Sequence, residues 1–258
     1  MAIDMSKMKS KLRAMNRTSS SSSFWKPTDG GQHKVRILCT PDGDPFKEYF
    51  FHYRIGKQMS FLCPKKNFGD DCPVCNLVSE LYNDGDEASV ALAKKYSAKQ
   101  RFFSPVMVRG EEKEGVRLWG YGKQAYQSML QLIFNPEYGD ITDLEEGTDL
   151  NIVYGTEPGA MYPSTKITPS RKASRVCADL DPEECKQLLN EIPDFDAIFE
   201  KVSTEDVEKI LNEALHSDNS AQNFSPEVKK YSSGGGQNTD QAAASKTSEI
   251  DAVFNSLQ

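Results

Sequence analysis

The chain has 258 residues, enough for one large domain or two small ones, and its 38% hydrophobic and 10% aromatic content supports a buried core. No apolar run of about 18 residues occurs, and the cationic N-terminus lacks the apolar segment of a signal peptide, so we expect a cytoplasmic protein. The net charge of −7 is unevenly distributed: residues 1–34 carry seven cations and two acids, whereas residues 179–258 carry six cations and seventeen acids. The acidic total therefore does not exclude nucleic-acid binding.

The first 23 residues form a basic arm that ends in a linker. Five cations occur there with no acid between them: Lys7, Lys9, Lys11, Arg13 and Arg17. Met8, Leu12 and Met15 recur at helical spacing, so a short amphipathic helix competes with a solvated tail as the interpretation. The polyserine run at residues 19–23 marks the boundary to the body of the protein.

The body, residues 24–178, begins at Phe24-Trp25 and mixes strand and helix patterns. Alternation around Val35 and Ile37 predicts one strand, and an aromatic-rich second strand is predicted over residues 47–55. A cysteine-rich loop follows. Two helices are predicted after this loop, over residues 76–82 and 87–96.

Further along the body the strand pattern returns. Residues 102–109 and 116–121 predict a hairpin, and apolar residues at helical spacing predict a helix over residues 126–133. Two more strands are predicted over residues 149–154 and 162–168. We therefore expect an α+β, mainly β, core: an OB-like five-stranded barrel with an inserted zinc-binding subdomain and C-terminal helices.

The cysteine-rich stretch organises this part of the chain. Cys63, Cys72 and Cys75 include a C-x-x-C pair, and His52 is the nearest histidine. Zinc prefers four nitrogen or sulfur ligands in a tetrahedron, so these four residues predict one structural zinc in a subdomain of about residues 52–100. A redox dithiol and an open catalytic zinc are the alternatives, and His33 is the rival fourth ligand.

The three remaining cysteines have no ligand-like spacing. Because cytoplasmic cysteines are reduced, we expect Cys39, Cys177 and Cys185 to be ordinary buried or half-buried thiols.

The C-terminal part divides into a helical region, residues 179–216, and a tail, residues 217–258. Asp181-Pro182 is a helix start, and a second helix is predicted over residues 205–215. The Ser-, Gly- and Gln-rich composition that follows predicts disorder. A docking peptide is predicted at the end of the tail, with the residues Glu249, Ile250, Asp251, Val253 and Phe254.

Cations and aromatic residues are interleaved in two segments of the body, and Trp119 and Tyr121 alternate on a predicted strand between them. This combination binds single-stranded nucleic acid without reading its sequence. The predicted contact residues are Lys94, Lys95, Tyr96, Lys99, Arg101, Phe102, Phe103, Trp119, Tyr121, Lys123, Lys166, Arg171, Lys172 and Arg175. The alternative is that the aromatic residues are core and the cations a solvated surface. No phosphate loop, nucleophile motif or histidine cluster occurs, so we expect no enzymatic activity.

The order of these parts resembles the single-stranded DNA-binding proteins of T-even-type tailed bacteriophages. The resemblance rests on the basic arm, on Trp25, on His52…Cys63…Cys72-Pro-Val-Cys75, on Phe102-Phe103 and on Leu118-Trp119-Gly120-Tyr121-Gly122-Lys123. It implies an OB core with a zinc subdomain and cooperative, sequence-non-specific binding in phage replication, recombination and repair, in the cytoplasm of the infected host. It also implies that the arm joins neighbouring protomers and that the tail recruits phage replication and recombination proteins.

Two other classes of function stay open from the sequence. A zinc-ribbon transcription or assembly factor would bind a protein partner and use its aromatic residues as core. A zinc-dependent nuclease or deaminase is disfavoured, because no general-base motif accompanies the cysteines.

Overall fold

The computed structural model describes residues 24–40, 42–178, 181–190, 192 and 195–218. These residues form two compact units, between which the chain passes several times. Among the described residues, the first unit comprises 24–45, 104–120 and 127–192, and the second comprises 46–103, 121–126 and 195–218. Within this described part, no helix combines the length and apolar character needed to cross a bilayer.

Strands and helices occur in both units, which confirms the α+β class. The strands are β1 (Phe24–Trp25), β2 (Gln32–Ile37), β3 (Lys47–Ile55), β4 (Gln58–Leu62), β5 (Lys99–Val108), β6 (Arg117–Tyr121), β7 (Thr148–Gly155) and β8 (Ser164–Ala173). The helices are α1 (Pro64–Phe68), α2 (Pro73–Asp84), α3 (Glu87–Tyr96), α4 (Lys123–Ile133), α5 (Pro182–Asn190), α6 (Phe195–Ile198) and α7 (Thr204–Asp218). A 3₁₀ turn, Glu112–Glu114, connects β5 to β6.

The sheet of the first unit has the strand order β1-β6-β5-β2-β7-β8. It is mixed, since β1 pairs with β6 in parallel while β2 pairs with β5 and β7, and β7 with β8, in antiparallel fashion. This order is open, and the predicted five-stranded barrel is not confirmed. The buried side of the sheet is apolar because alternate strand residues share a face: Val35, Ile37, Leu150 and Ile152 are all fully buried.

The opposite face of β2, β7 and β8 is polar. Lys34 lies across from Asn151, and Asn151 lies across from Thr168 on β8. Lys34 and Thr168 are exposed, and the Asn151 amide donates to the Thr168 carbonyl at 3.3 Å. Side chains of directly paired residues point to the same side of a sheet, so this row presents hydrogen-bonding and cationic groups to solvent.

Helix α5 belongs to the first unit, where Leu188 and Leu189 pack on a cluster that contains Leu38 and Met107. A disulfide joins its Cys185 to Cys177 beyond β8, with the two Cα atoms 5.7 Å apart. The prediction of free thiols was therefore wrong for Cys177 and Cys185. Cys185 lies in the first turn of the helix that begins at Pro182, and this helix places it next to Cys177. The spacing of the two cysteines in the sequence does not reveal this proximity.

Cys39, by contrast, is a free, half-buried thiol, as predicted. Its sulfur lies 3.1 Å from the Thr142 hydroxyl oxygen.

The second unit is built on the β3–β4 hairpin. Residues 47–51 of β3 pair with residues 99–103 of β5, and residues 51–55 pair with β4. Helix α7 packs on this unit through Val207, Leu211 and Ala214, which share a buried cluster with Ile55. The amphipathic spacing of these α7 residues explains both the helix and its burial.

The tight turn of this hairpin approaches α7 closely. Gly56 has φ of 59°, a conformation that favours glycine, and a Cβ built there would lie 3.3 Å from the Ile210 carbonyl oxygen and 3.4 Å from the Ala214 Cβ. Glycine at this position therefore permits both the backbone conformation of the turn and the close packing of α7 against it.

Candidate metal centre and nucleic-acid interface

Four predicted ligands converge in the second unit from three neighbouring pieces of chain. His52 lies in the middle of β3, and Cys63 follows β4 and forms the N-cap of α1. Cys72 forms the N-cap of α2, and Cys75 lies in its first turn. A proline follows each capping cysteine at the first helical position, where its missing N–H costs nothing and its fixed φ favours the helix. The local sequence therefore starts two helices at cysteines, and both of these cysteines belong to the cluster.

The donor atoms of these four residues all lie within 4.8 Å of one another. Cys72 Sγ and Cys75 Sγ lie 3.5 Å and 3.6 Å from His52 Nε2, and Cys63 Sγ lies 3.4 Å from Cys75 Sγ. A tetrahedral zinc with ordinary bond lengths would separate sulfur from nitrogen by roughly 3.6 Å and sulfur from sulfur by roughly 3.8 Å. The donor set and its spacing therefore fit one tetrahedral metal ion.

Hydrogen bonds orient two of the ligands. His52 is fully buried, and its Nδ1 donates to the Tyr96 carbonyl at 2.8 Å, which leaves Nε2 directed at the three sulfurs. The Lys66 amide donates to Cys63 Sγ at 3.4 Å. His33 lies in the first unit, where its Nε2 accepts a hydrogen bond from the Thr28 amide, so His52 is the histidine of this cluster.

Contacts within the cluster shift the pKa values of Cys63 and Cys75 in opposite directions. The pKa of Cys63 is lowered to about 3, chiefly because Cys72 and then Cys75 donate hydrogen bonds to its sulfur. The contact with Cys63 raises the pKa of Cys75, which stays a protonated donor. A bound divalent cation would favour the thiolate form of all three cysteines, because the thiolate is the metal ligand.

A comparison with models of known protein families shows which family the chain belongs to. The family model described as gp32 DNA binding protein like matches residues 29–217, which is well over half of the 258 residues and includes all four clustered ligands. The chain belongs to this family. A search of curated proteins found no match.

The aromatic residues predicted to contact DNA are buried in this gp32-like chain. None is more than 2% exposed: Tyr96, Phe102, Phe103, Trp119 and Tyr121. Phe102 stacks on Tyr126 with ring centroids 4.0 Å apart, and Trp119 meets Trp25 edge-on at 5.9 Å. These rings pack against protein, and their stacking on bases stays a prediction.

The predicted cations of the second unit lie at its surface. Lys94, Lys95, Lys99 and Lys123 are exposed, and Arg101 is half-buried. The Lys99 ammonium donates to the Lys94 carbonyl at 2.9 Å, and Lys95 lies 5.4 Å from the centre of the Tyr96 ring. The aromatic members of this segment thus support the fold while its charges face solvent.

The predicted cations of the first unit are of two kinds. Lys166 pairs with Glu157 at 2.5 Å and Arg175 pairs with Glu145 at 2.7 Å. Arg171 and Lys172 are exposed at the end of β8 and have no ion-pair partner in the part of the chain that the structure describes.

Sequence reasoning missed Lys34, which faces the same surface. One lysine in a strand does not by itself indicate a binding site. Only the pairing of β2 with β7 places Lys34 on this surface.

Two sets of predicted residues lie outside the described residues. They are the arm cations Lys7, Lys9, Lys11, Arg13 and Arg17 and the docking residues Glu249, Ile250, Asp251, Val253 and Phe254.

Proposed function

We propose that this gp32-like protein binds single-stranded DNA cooperatively and without sequence preference, in phage DNA replication, recombination and repair within the infected host. The observation that carries the proposal is the family match over residues 29–217. The exposed cations Lys94, Lys95, Lys99, Lys123, Arg171 and Lys172 support it, because phosphate contacts give affinity without reading bases. In this proposal the protein is a binding protein and not an enzyme.

We further propose that the metal is one zinc ion and that its role is structural. Three cysteines and one histidine are a closed donor set of the kind that structural zinc uses, with no fourth position left for a substrate. When bound, the ion would neutralise the thiolates and fasten β3, α1 and α2 to one another. The chain's own contribution is to orient His52 through the Tyr96 carbonyl and to bury the ligands.

We also propose a role for each segment of the chain. Residues 24–178 form the OB-like binding core with the zinc subdomain at about 52–100, and residues 179–216 form the helical region. The basic arm, residues 1–23, makes contacts between neighbouring protomers on DNA. The acidic tail, residues 217–258, docks phage replication and recombination proteins through an apolar and acidic peptide.

Titration of labelled oligonucleotides tests the central proposal. We expect tight binding to a single strand and weaker binding to the matched duplex. We also expect a plot of the logarithm of the association constant against the logarithm of the salt concentration to fall with a slope of roughly 0.7 for each phosphate contacted on the single strand. Fluorescence anisotropy at several salt concentrations measures both. Equal affinity for the two forms, or no slope, would contradict the proposal. A folded protein with no DNA affinity would instead favour the zinc-ribbon transcription or assembly factor.

Removing residues 1–17 tests the proposed arm, since it deletes five cations and leaves the described units intact. On an oligonucleotide that holds one protomer, we expect little change in affinity. On a long strand, we expect weaker binding and loss of the sigmoidal isotherm. A matched variant with the five cations retained and Met8, Leu12 and Met15 replaced by serine separates charge from apolar contacts. An equal fall in affinity on the short site would show that the arm is part of the DNA-binding surface itself.

A further inference from the structure

A cleft of about 630 Å³ opens on the polar side of the first unit. Strands β2, β7 and β8 supply its walls. Its lining includes three cations, Lys34, Arg171 and Lys172, together with Asn151 and one acid, Asp149. The cross-strand pairing of Lys34 with Asn151 fixes the lysine on this side, while Arg171 and Lys172 approach from the end of β8.

The three cations that line the cleft are available for a ligand. Lys34, Arg171 and Lys172 are exposed, and no ion pair engages any of them within the described ranges. Lys166 and Arg175 differ, because each already has a carboxylate partner on the surface. Three exposed cations of this unit that lack an ion pair among the described residues therefore lie together at the cleft.

The acid at the cleft does not offset this charge, because two arginines hold it. Arg36 is fully buried and lies 2.9 Å from Asp149 Oδ1 through its NH2 group. Arg109 donates to both carboxylate oxygens, at 2.9 Å and 3.1 Å, and the Ser174 hydroxyl adds a bond of 3.1 Å. Two guanidinium groups therefore pair with the one acid that lines the cleft, so Asp149 is not free to pair with the lining cations.

The same network fixes the shape of the cleft. Arg36 donates to the Gly147 carbonyl at 2.8 Å and to the Ser174 carbonyl at 2.7 Å, and Arg109 donates to the Arg175 carbonyl at 2.8 Å. Ser174 is itself a lining residue and directly follows β8. The chain that carries Arg171 and Lys172 is thus held at its end by hydrogen bonds from Arg36 and Arg109.

We propose that this cleft binds backbone phosphates of single-stranded DNA, with Lys34, Arg171 and Lys172 as the contacting residues. The proposal rests on the proposed function and names the surface that performs it. A cleft with three unpaired cations, whose one lining acid is already paired with two arginines, suits a polyanion, and phosphate contacts need no aromatic platform. It therefore accounts for DNA binding in a unit whose large aromatic side chains Trp25 and Trp119 are buried.

The test compares three variants with the wild type on a short, fluorescein-labelled oligothymidylate that holds one protomer. The first combines Lys34→Gln, Arg171→Gln and Lys172→Gln. A matched control removes the same number of charges from exposed lysines elsewhere, through Lys57→Gln, Lys113→Gln and Lys186→Gln. A third variant keeps the cleft charges, through Lys34→Arg, Arg171→Lys and Lys172→Arg. All four proteins are used as full chains with their metal bound, and unfolding curves check that each is folded.

Loss of three phosphate contacts is expected to make the salt slope of the first variant shallower by about 2, since each contact on a single strand contributes roughly 0.7. Raising the salt concentration four-fold should then weaken the first variant roughly 20-fold less than the wild type. The control and the charge-conserving variant should keep the wild-type slope.

Two outcomes overturn this inference alone: a wild-type slope in the first variant, or an equally shallow slope in the control. A wild-type protein that binds neither single-stranded nor duplex DNA would overturn the proposed function as well, so the two failures are distinguishable.

Discussion

Cys72→Ser is expected to abolish metal binding and to destabilise the second unit by several kcal/mol, because the free energy of metal binding to such a site contributes directly to folding. The sulfur of Cys72 is fully buried and lies 3.5 Å from His52 Nε2. A serine hydroxyl is a poor zinc ligand, and it would leave two thiolates and an imidazole around an incomplete site.

The loss should spread beyond the ligands. Cys63 and Cys72 belong to the same buried cluster as Val207 and Leu211, so a loosened centre also loses the packing surface of α7. Hydrogen exchange is expected to show lost protection in α1, α2 and α7 together. Metal analysis should find about one zinc ion per chain in the wild type and none in the variant, and a chelator should reproduce the variant's unfolding curve in the wild type.

Cys39→Ser provides the matched control, since Cys39 is a free thiol of the first unit and contacts a hydroxyl that serine can also reach. It should keep the metal and lose little stability. A Cys72→Ser protein with wild-type metal content and wild-type unfolding would refute the structural-metal proposal.

Asp149→Ala is expected to destabilise the first unit by about 3–5 kcal/mol, the range found when one partner of a buried ion pair is removed. Burial lowers the pKa of Arg36 because the guanidinium is desolvated, and the charge of Asp149 opposes this effect. Without the carboxylate, two guanidinium groups repel each other beneath the cleft, and the bond from the Ser174 hydroxyl is also lost.

Urea unfolding measures the change as a shift in midpoint at constant slope. Glu157→Ala is the matched control, because Glu157 also forms an ion pair but its side chain is 53% exposed. Exposed pairs contribute about 0–1 kcal/mol, so this variant should unfold close to the wild type. Similar losses in the two variants would show that the buried network contributes no more than a surface ion pair.

Local sequence signals predicted much of the secondary structure and the clustering of the four candidate ligands. The strand predicted over residues 47–55 is β3 (Lys47–Ile55), and the helix predicted over residues 87–96 is α3 (Glu87–Tyr96). Residue type and spacing within a short stretch identified the four clustered ligands, and metal sites are recognisable because few residue types supply such donors. Strand β4 was missed, because Gln58–Leu62 lies inside the stretch that the cysteines dominate.

Features that depend on contacts between distant parts of the chain could not be predicted in the same way. A pattern of aromatic and basic residues does not distinguish a ring that stacks on a base from one that stacks on another ring, as Phe102 does on Tyr126. The pairing of Arg36 with Asp149 joins strands β2 and β7, and no local pattern marks a buried arginine. Lys34 lines the cleft together with residues of β8, and only the register of the strands brings them to the same surface.

The turn at Gly56 makes the proposed metal centre depend on a residue that is not one of its candidate ligands. The hairpin that carries His52 turns at this glycine against Ile210 and Ala214, with no room for a methyl group unless α7 retreats by a few tenths of an ångström. A helix that retreats withdraws Val207 and Leu211 from the cluster that encloses Cys63 and Cys72. Under the structural-metal proposal, the affinity for the ion therefore depends on how completely the last described helix is docked, and metal exchange would measure the packing of a segment far along the chain from the ligands.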